Sequence, residues 1–249
     1  MRLTVINSGS SGNCYLLESS TGEILMVECG VRFQQVLQAV GFKVNKIVGC
    51  ALTHNHKDHS KAVHEVLSSG IKVAASDGTL NAEGVRVHHN AVSFNSNRNM
   101  VCFGEFSIKA FDVNHDAAEP LGFLIRHKEL GTMLFLTDTY YCQYTFPGLT
   151  NIMIEANYCE QILRDKVAAG VSPKFLRDRV IQSHMSLRTC KELLQANDLS
   201  KVNNIVLIHL SDSNSHAGRF EKEVQEMTGK KTYVAIPGLV IENFGSVPF

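Results

Sequence analysis

The sequence predicts an α/β protein, and three observations carry that expectation. Apolar runs of strand length, bounded by Ser, Gly and Asn, recur along the chain. Stretches with a helical apolar face fall between them, and the same strand-then-helix rhythm occupies both halves, as two similar α/β units packed through their sheets would show. Finally, 44% of the 249 residues are apolar and no repeat, low-complexity tract or linker interrupts them, so residues 1–249 are read as one domain with a substantial core.

Taken in order, strands are expected over 3–7, 14–18, 23–27 and 47–52. A helix over about 32–40 follows from Val36, Leu37 and Val40 sharing a face, with Gly41 as its stop. A second should begin at Ser60, run through Val63, Val66 and Leu67, and end at Gly70. Further strands are expected over 71–74, 85–88, 106–113, 122–126 and 132–137. The order then becomes strand (152–155), helix (158–169), helix (187–197), strand (202–208) and helix (218–227), with a short β-segment near Val240. The connections 139–151 and 170–183 are long enough to be site-lining loops.

Composition narrows the function classes. With 24 Lys+Arg against 24 Asp+Glu there is no broad basic field to draw in nucleic acid or an anionic membrane, so a polyanion would have to be gripped locally. The seven cysteines are scattered and never spaced C-x-x-C, which argues against a disulfide framework and a zinc ribbon and for a reducing compartment. Residues 1–7 are too soon followed by Ser8 and Gly9 for a signal peptide, and no apolar run approaches the roughly 18 residues of a membrane span. A cytoplasmic protein with no membrane partner is expected; its oligomeric state is left open.

The chemistry concentrates in Leu52-Thr53-His54-Asn55-His56-Lys57-Asp58-His59, where an apolar strand ends and a helix begins. Three imidazoles and a carboxylate packed this closely suit a transition-metal site. His54 and His56, two apart, point the same way if strand geometry persists, whereas the adjacent Asp58 and His59 diverge, so one cluster can serve two neighbouring ions. Lys57 reads as a solvated charge.

H-x-H-x-D-H after a hydrophobic strand resembles the signature of metallo-β-lactamase-fold hydrolases. That resemblance implies a four-layer αββα sandwich with a dinuclear site at one edge of its two sheets, and further ligands from three later strand ends. His115, Asp138 and His209 each follow such a strand. Carried over residue by residue, it implies one metal held by His54, His56 and His115, another by Asp58, His59 and His209, and Asp138 bridging them beside a hydroxide. The implied cofactors are two divalent ions, Zn or Mn. His64, His88, His89 and His127 are left as structural or solvent-exposed, and His216 is a poor ligand because no apolar strand delivers it.

The blocks Ser8-Gly9-Ser10-Ser11-Gly12-Asn13-Cys14-Tyr15, Asn114-His115-Asp116-Ala117-Ala118-Glu119-Pro120, Ile154-Glu155-Ala156-Asn157, His184-Met185-Ser186 and His209-Leu210-Ser211 resemble the YycJ/WalJ group within that fold. The group implies a metal-dependent phosphodiesterase, a 5′-to-3′ exonuclease acting on a DNA end. Two alternatives stay beside it: hydrolysis of a small phosphodiester, such as a cyclic nucleotide or cyclic phosphate sugar, and a metal-binding scaffold without turnover. Asp58 and His184 are the catalytic candidates. By resemblance, His184 contacts phosphate or protonates the leaving oxygen; otherwise it caps the helix from Leu187 or hydrogen-bonds a carboxylate. Ser10, Asn13, His184 and Asn214 are the candidate substrate contacts. Two positions depart from the pattern: Glu28 stands where the fold usually has Asp, and Tyr140 follows Thr139 where the group usually has Gly, which puts a bulky side chain near the metals.

Overall fold

In the computed structural model, which describes residues 1–95, 99–171 and 173–245, the apolar runs of each half build one sheet. The first half supplies β1 (Arg2–Asn7), β2 (Cys14–Glu18), β3 (Ile24–Val27), β4 (Ile47–Ala51), β5 (Val73–Ser76) and β6 (Ala91–Phe94), with α1 (Phe33–Ala39), α2 (Lys57–Ser60), α3 (Val63–Ser68) and α4 (Asp77–Ala82) between them. The second half supplies β7 (Val101–Phe103), β8 (Phe106–Asp112), β9 (Leu121–His127), β10 (Gly131–Leu136), β11 (Asn151–Glu155), β12 (Asn204–Ile208) and β13 (Lys231–Val234), with α5 (Glu160–Ala168), α6 (Lys174–Ser183), α7 (Leu187–Ala196) and α8 (Ala217–Thr228). β14 (Val240–Ile241) crosses back to pair with β1. The strand orders are β14-β1-β2-β3-β4-β5-β6 and β13-β12-β11-β10-β9-β8-β7.

Side-chain alternation makes the layers. Met133, Phe135, Val206 and Ile208 turn inward to meet Val5, Leu17, Leu25 and Val27 of the other sheet. Their neighbours Leu134, Leu136, Ile205 and Leu207 turn outward onto Leu194, Phe220 and Val224 of α7 and α8. On the opposite surface Leu16, Met26, Cys50 and Leu52 pack under Val36, Val63 and Val66. The expected αββα sandwich is the observed one. Tyr15 and Phe135 join the two sheets edge to face at 5.5 Å, so Phe135→Ala would cost about 3–5 kcal/mol.

The elements differ from expectation in several places, and α4 was not expected. Residues 85–88 are not a strand: Val85 closes α4, its N–H bonding Leu80 O across Gly84 at φ 70°, and Val87 is 96% exposed. The strand that pairs in parallel with β5 is β6, just beyond. The helix expected from Ser60 is broken into α2 and α3. The connection expected as a loop over 170–183 carries α6, and the short edge strands β7 and β13 went unforeseen. Among the described residues no helix is long and apolar enough to cross a membrane.

Candidate metal centre

β9 runs antiparallel to both β8 and β10, and β10, β11 and β12 are parallel, so β8, β10, β11 and β12 all end at one edge. That edge receives His115 after β8, Asp138 after β10, Glu155 at the end of β11 and His209 after β12. β4 delivers Thr53, His54 and His56, and the single turn of α2 then swings Asp58 and His59 toward the same point. Five non-glycine residues among those described have positive φ, and three of them stand here: Glu28 (64°), Asp138 (49°) and His209 (53°). Such backbone is costly, and it aims side chains that an extended strand would carry past the edge.

Four overlapping groups of candidate ligands result among the described residues: two join Asp138 to His54 and His59 and to Glu155, His184 and His209, and the other two are those the resemblance implies. The ligand atoms of His54, His56 and His115 lie within 4.8 Å of one another, as do those of Asp58, His59 and His209. Asp138 stands between, 2.9 Å from His59 Nε2, 3.8 Å from His209 Nε2 and 3.9 Å from His115 Nε2. The tautomers of His54 and His115 suit metal binding. Thr53 donates its hydroxyl to Glu28 Oε1 at 2.6 Å, so the contact with His54 Nδ1 at 2.9 Å is one in which the imidazole donates. His54 Nε2 is then a bare lone pair, buried and without a hydrogen-bond partner. His115 donates from Nδ1 to Ser183 O at 2.9 Å and turns Nε2 to within 3.1 Å of His56 Nδ1. Convergent imidazole lone pairs with carboxylates beside them fit divalent ions.

The electrostatics point the same way. Burial would raise the Asp58 carboxyl, but hydrogen bonds from His209 and His59 hold it well below the usual carboxylate range. For Asp138 burial is likewise outweighed, by the charges of His209 and His59 and a hydrogen bond from His184. Burial pushes His54 and His115 down, keeping them neutral as ligands must be. His59, His209 and His184 move up against burial. Asp138 and Glu28 do this for His59, Asp138 and Asp58 for His209, and Glu155 with Asp138 pushes His184 up to about 10. Imidazolium protons thus stand where cations would sit.

Other predicted residues serve as supports. Ser10 is exposed and lines the cleft. Asn13 is buried beneath the cleft: its Oδ1 accepts from Gly9 N, and its Nδ2 donates to Gly9 O and Asp58 O and meets His59 Nε2 at 3.1 Å. Its backbone N–H bonds Asp58 O at 2.7 Å, a Cβ on the neighbouring Gly12 would collide with Gly30 O, and Ser8 Oγ accepts from His209 N. The Ser/Gly-rich block is therefore a brace beneath the ligands. The structure places Asn214 with its Oδ1 3.1 Å from Lys166 Nζ, outside the residues that line the cleft. Lys57 is paired with Glu83 rather than merely solvated. His64 is exposed, His88 and His89 stack on each other, and buried His127 lies over Phe106.

His184 lines the cleft with its Nδ1 bound to Glu155 Oε1 (2.7 Å) and Asp138 Oδ1 (3.0 Å), while Ser186, not His184, caps α7. Glu28, despite its extra methylene, reaches both Thr53 and, at 3.5 Å, His59 Nδ1. Tyr140 lies beside the cleft rather than in it. Sequence reasoning missed Glu155 and Arg179. Glu155 is fully buried and also accepts from Thr139 N and Met185 N; its signal was a carboxylate directly after the apolar run Ile152-Met153-Ile154. Arg179 reaches the cleft from α6.

A family model described as Anti-Pycsar protein Apyc1 matches residues 7–80. The chain is similar to exodeoxyribonuclease WalJ of Streptococcus pneumoniae, 26% identical over 242 residues that cover 91% of this chain and 86% of that protein. It is similar to exodeoxyribonuclease YycJ of Bacillus anthracis, 23% identical over 250 positions that cover 94% and 91%. Among solved structures, the metallo-β-lactamase-fold protein YhfI from Bacillus subtilis superposes with a TM-score of 0.74 at 16% identity, covering 97% of this chain and 98% of the other.

Proposed function

We propose that this chain, a metal-dependent hydrolase of the metallo-β-lactamase fold and the YycJ/WalJ-like group, removes nucleotides from the 5′ end of DNA at a centre of two divalent ions. The observation that carries the reading is the pair of three-residue groups, His54/His56/His115 and Asp58/His59/His209, on either side of Asp138, with a buried lone pair at His54 Nε2. Bound there, two divalent ions, Zn or Mn, supply an activated water at neutral pH and positive charge for phosphoryl oxygens.

The chain's own groups do the rest. Asp58 and Asp138 cancel only part of the charge of two dications, so the cleft stays attractive to a phosphodiester although the whole chain is neutral. His184 is held by Glu155 and Asp138 through Nδ1, which leaves Nε2 as the nitrogen able to hold a proton for the leaving oxygen. Arg179 steadies a phosphate oxygen at the mouth. The cleft, about 270 Å³, has room for about one nucleotide, which favours a strand end over a continuous duplex.

DNA labelled separately at its 5′ and 3′ ends, digested with added Mn or Zn, tests the reading. Release from the 5′ end, with closed circular DNA intact, is expected. Release from the 3′ end, or efficient nicking of circles, overturns it. The small cleft and the balance of 24 basic and 24 acidic residues also suit a small cyclic phosphodiester. Faster hydrolysis of such a diester than of any DNA would establish that second reading.

A further inference from the structure

Next to the metal cleft, and sharing His115, Asp116, Arg179 and Ser183 with it, lies a second cavity of about 660 Å³. Two aromatic rings from different elements line it: Tyr140, 46% exposed in the loop after β10, and Phe175, 73% exposed on α6. Neither ring contributes to a hydrophobic core.

Tyr140 is held in place from behind. Its neighbour Thr139 is fully buried, donates its hydroxyl to Tyr141 O at 2.7 Å, accepts from Asn114 N at 3.1 Å, and donates its own N–H to Glu155 Oε2 at 3.3 Å. The loop bearing Tyr140 is therefore tied to the residue before His115 and to the carboxylate that holds His184.

Arg179 is the one guanidinium lining either cavity among the described residues. The carboxylates facing this space are Asp116 and Asp178, the latter paired with Arg177 at 2.6 Å. Two carboxylates make the cavity a poor bed for a run of phosphates, whereas the neutral faces of a base suit two aromatic rings.

We propose that Tyr140 and Phe175 form a stacking step for one unpaired base adjoining the scissile phosphate, with Arg179 contacting a phosphate oxygen where the two cavities meet. The proposal rests on the DNA reading above and deepens it: the occupant is a nucleotide out of its helical stack, so an unpaired end is the preferred substrate. Stacking of a base on an aromatic side chain contributes about 1–3 kcal/mol by alanine substitution, a factor of at least about five in affinity.

The test uses the full chain loaded with Mn or Zn and two DNA ends with short single-stranded overhangs, one natural and one with an abasic residue beside the terminal phosphodiester. Tyr140→Ala and Phe175→Ala should each raise KM on the natural end at least about fivefold with kcat little changed. On the abasic end the unaltered protein should show the same rise, and the substitutions should add nothing, because ring and base are removed from one interaction. Fully additive losses, or an unchanged KM in both variants while natural DNA is digested, overturn the stacking step and leave the exonuclease reading standing. No digestion of natural DNA by the unaltered protein overturns both. If sedimentation shows either substitution turning a dimer into a monomer, the rings cover a second copy of this chain instead.

Discussion

Glu155→Gln changes the charge beneath the metal centre while leaving its shape almost untouched. The wild-type carboxylate is fully buried and collects Thr139 N–H at 3.3 Å, Met185 N–H at 3.1 Å and His184 Nδ1–H at 2.7 Å, with His209 Nδ1 3.6 Å away. A glutamine has one accepting end. If its NH2 faced the two backbone N–H groups, both would lose their acceptor, at about 1–3 kcal/mol each. The amide oxygen therefore stays on the backbone and the NH2 turns to His184 and His209.

His184 Nδ1–H then loses Glu155 as an acceptor and keeps only Asp138 Oδ1 at 3.0 Å, so it forfeits a charge-assisted hydrogen bond of about 1.5–3 kcal/mol, roughly a 10- to 150-fold effect. Groups that orient metal ligands commonly cost 10- to 100-fold in metal affinity or activity when changed. We expect kcat to fall by about 10- to 100-fold and the affinity of the ion beside His209 to weaken by a similar factor. Metal titration followed by elemental analysis, alongside kcat on labelled DNA, reads both, and far-ultraviolet circular dichroism confirms the fold. Metal affinity and kcat both within twofold of wild type would refute the assignment of Glu155 as the anchor of His184.

Three further outcomes are expected. His184→Ala should keep both metals yet cut kcat by about 10²-fold, the usual scale for losing a general acid or base; loss of a metal would make His184 a ligand. Removing metal with a chelator should lower Tm: ions at 100 times Kd stabilise by about 2.7 kcal/mol each, and in a chain this long 1 kcal/mol moves Tm by about 2–4 °C. Asp138→Ala should lose most of that gain, with differential scanning fluorimetry as the readout, while His64→Ala keeps it. For the thiols, burial pushes Cys14, Cys142 and Cys190 up, so they stay protonated as pH rises from 7 to 9, whereas Cys102 is exposed. A maleimide should label one thiol of the native protein quickly, and Cys102→Ser should abolish that labelling.

What the sequence made legible was local. The H-x-H-x-D-H cluster can be read from its spacing, whereas His115, Asp138 and His209 became candidates through the resemblance, which implies ligands at three later strand ends, and the structure brings all of these side chains to one edge. The supports were not legible because they act across the fold. Glu155 meets His184 across 29 residues, and Asn13 meets His59 across 46. No periodicity links such pairs, so Asn13 read as a substrate contact and Glu155 received no role.

α6 escaped for a different reason. Phe175, Leu176 and Ile181 look outward instead of joining a core, so the helix lacks the buried stripe by which a helix is recognised. The misread segment 85–88 is the converse, alternation without a sheet to receive it, since Val87 faces solvent and the partner of β5 is β6. Apolar pattern predicts an element only where that pattern is spent on packing. A helix that keeps its apolar side chains outside, beside a cleft lined with candidate metal ligands, has them available for whatever enters the cleft, so Phe175 on α6, like Tyr140, is placed to meet substrate rather than to stabilise the core.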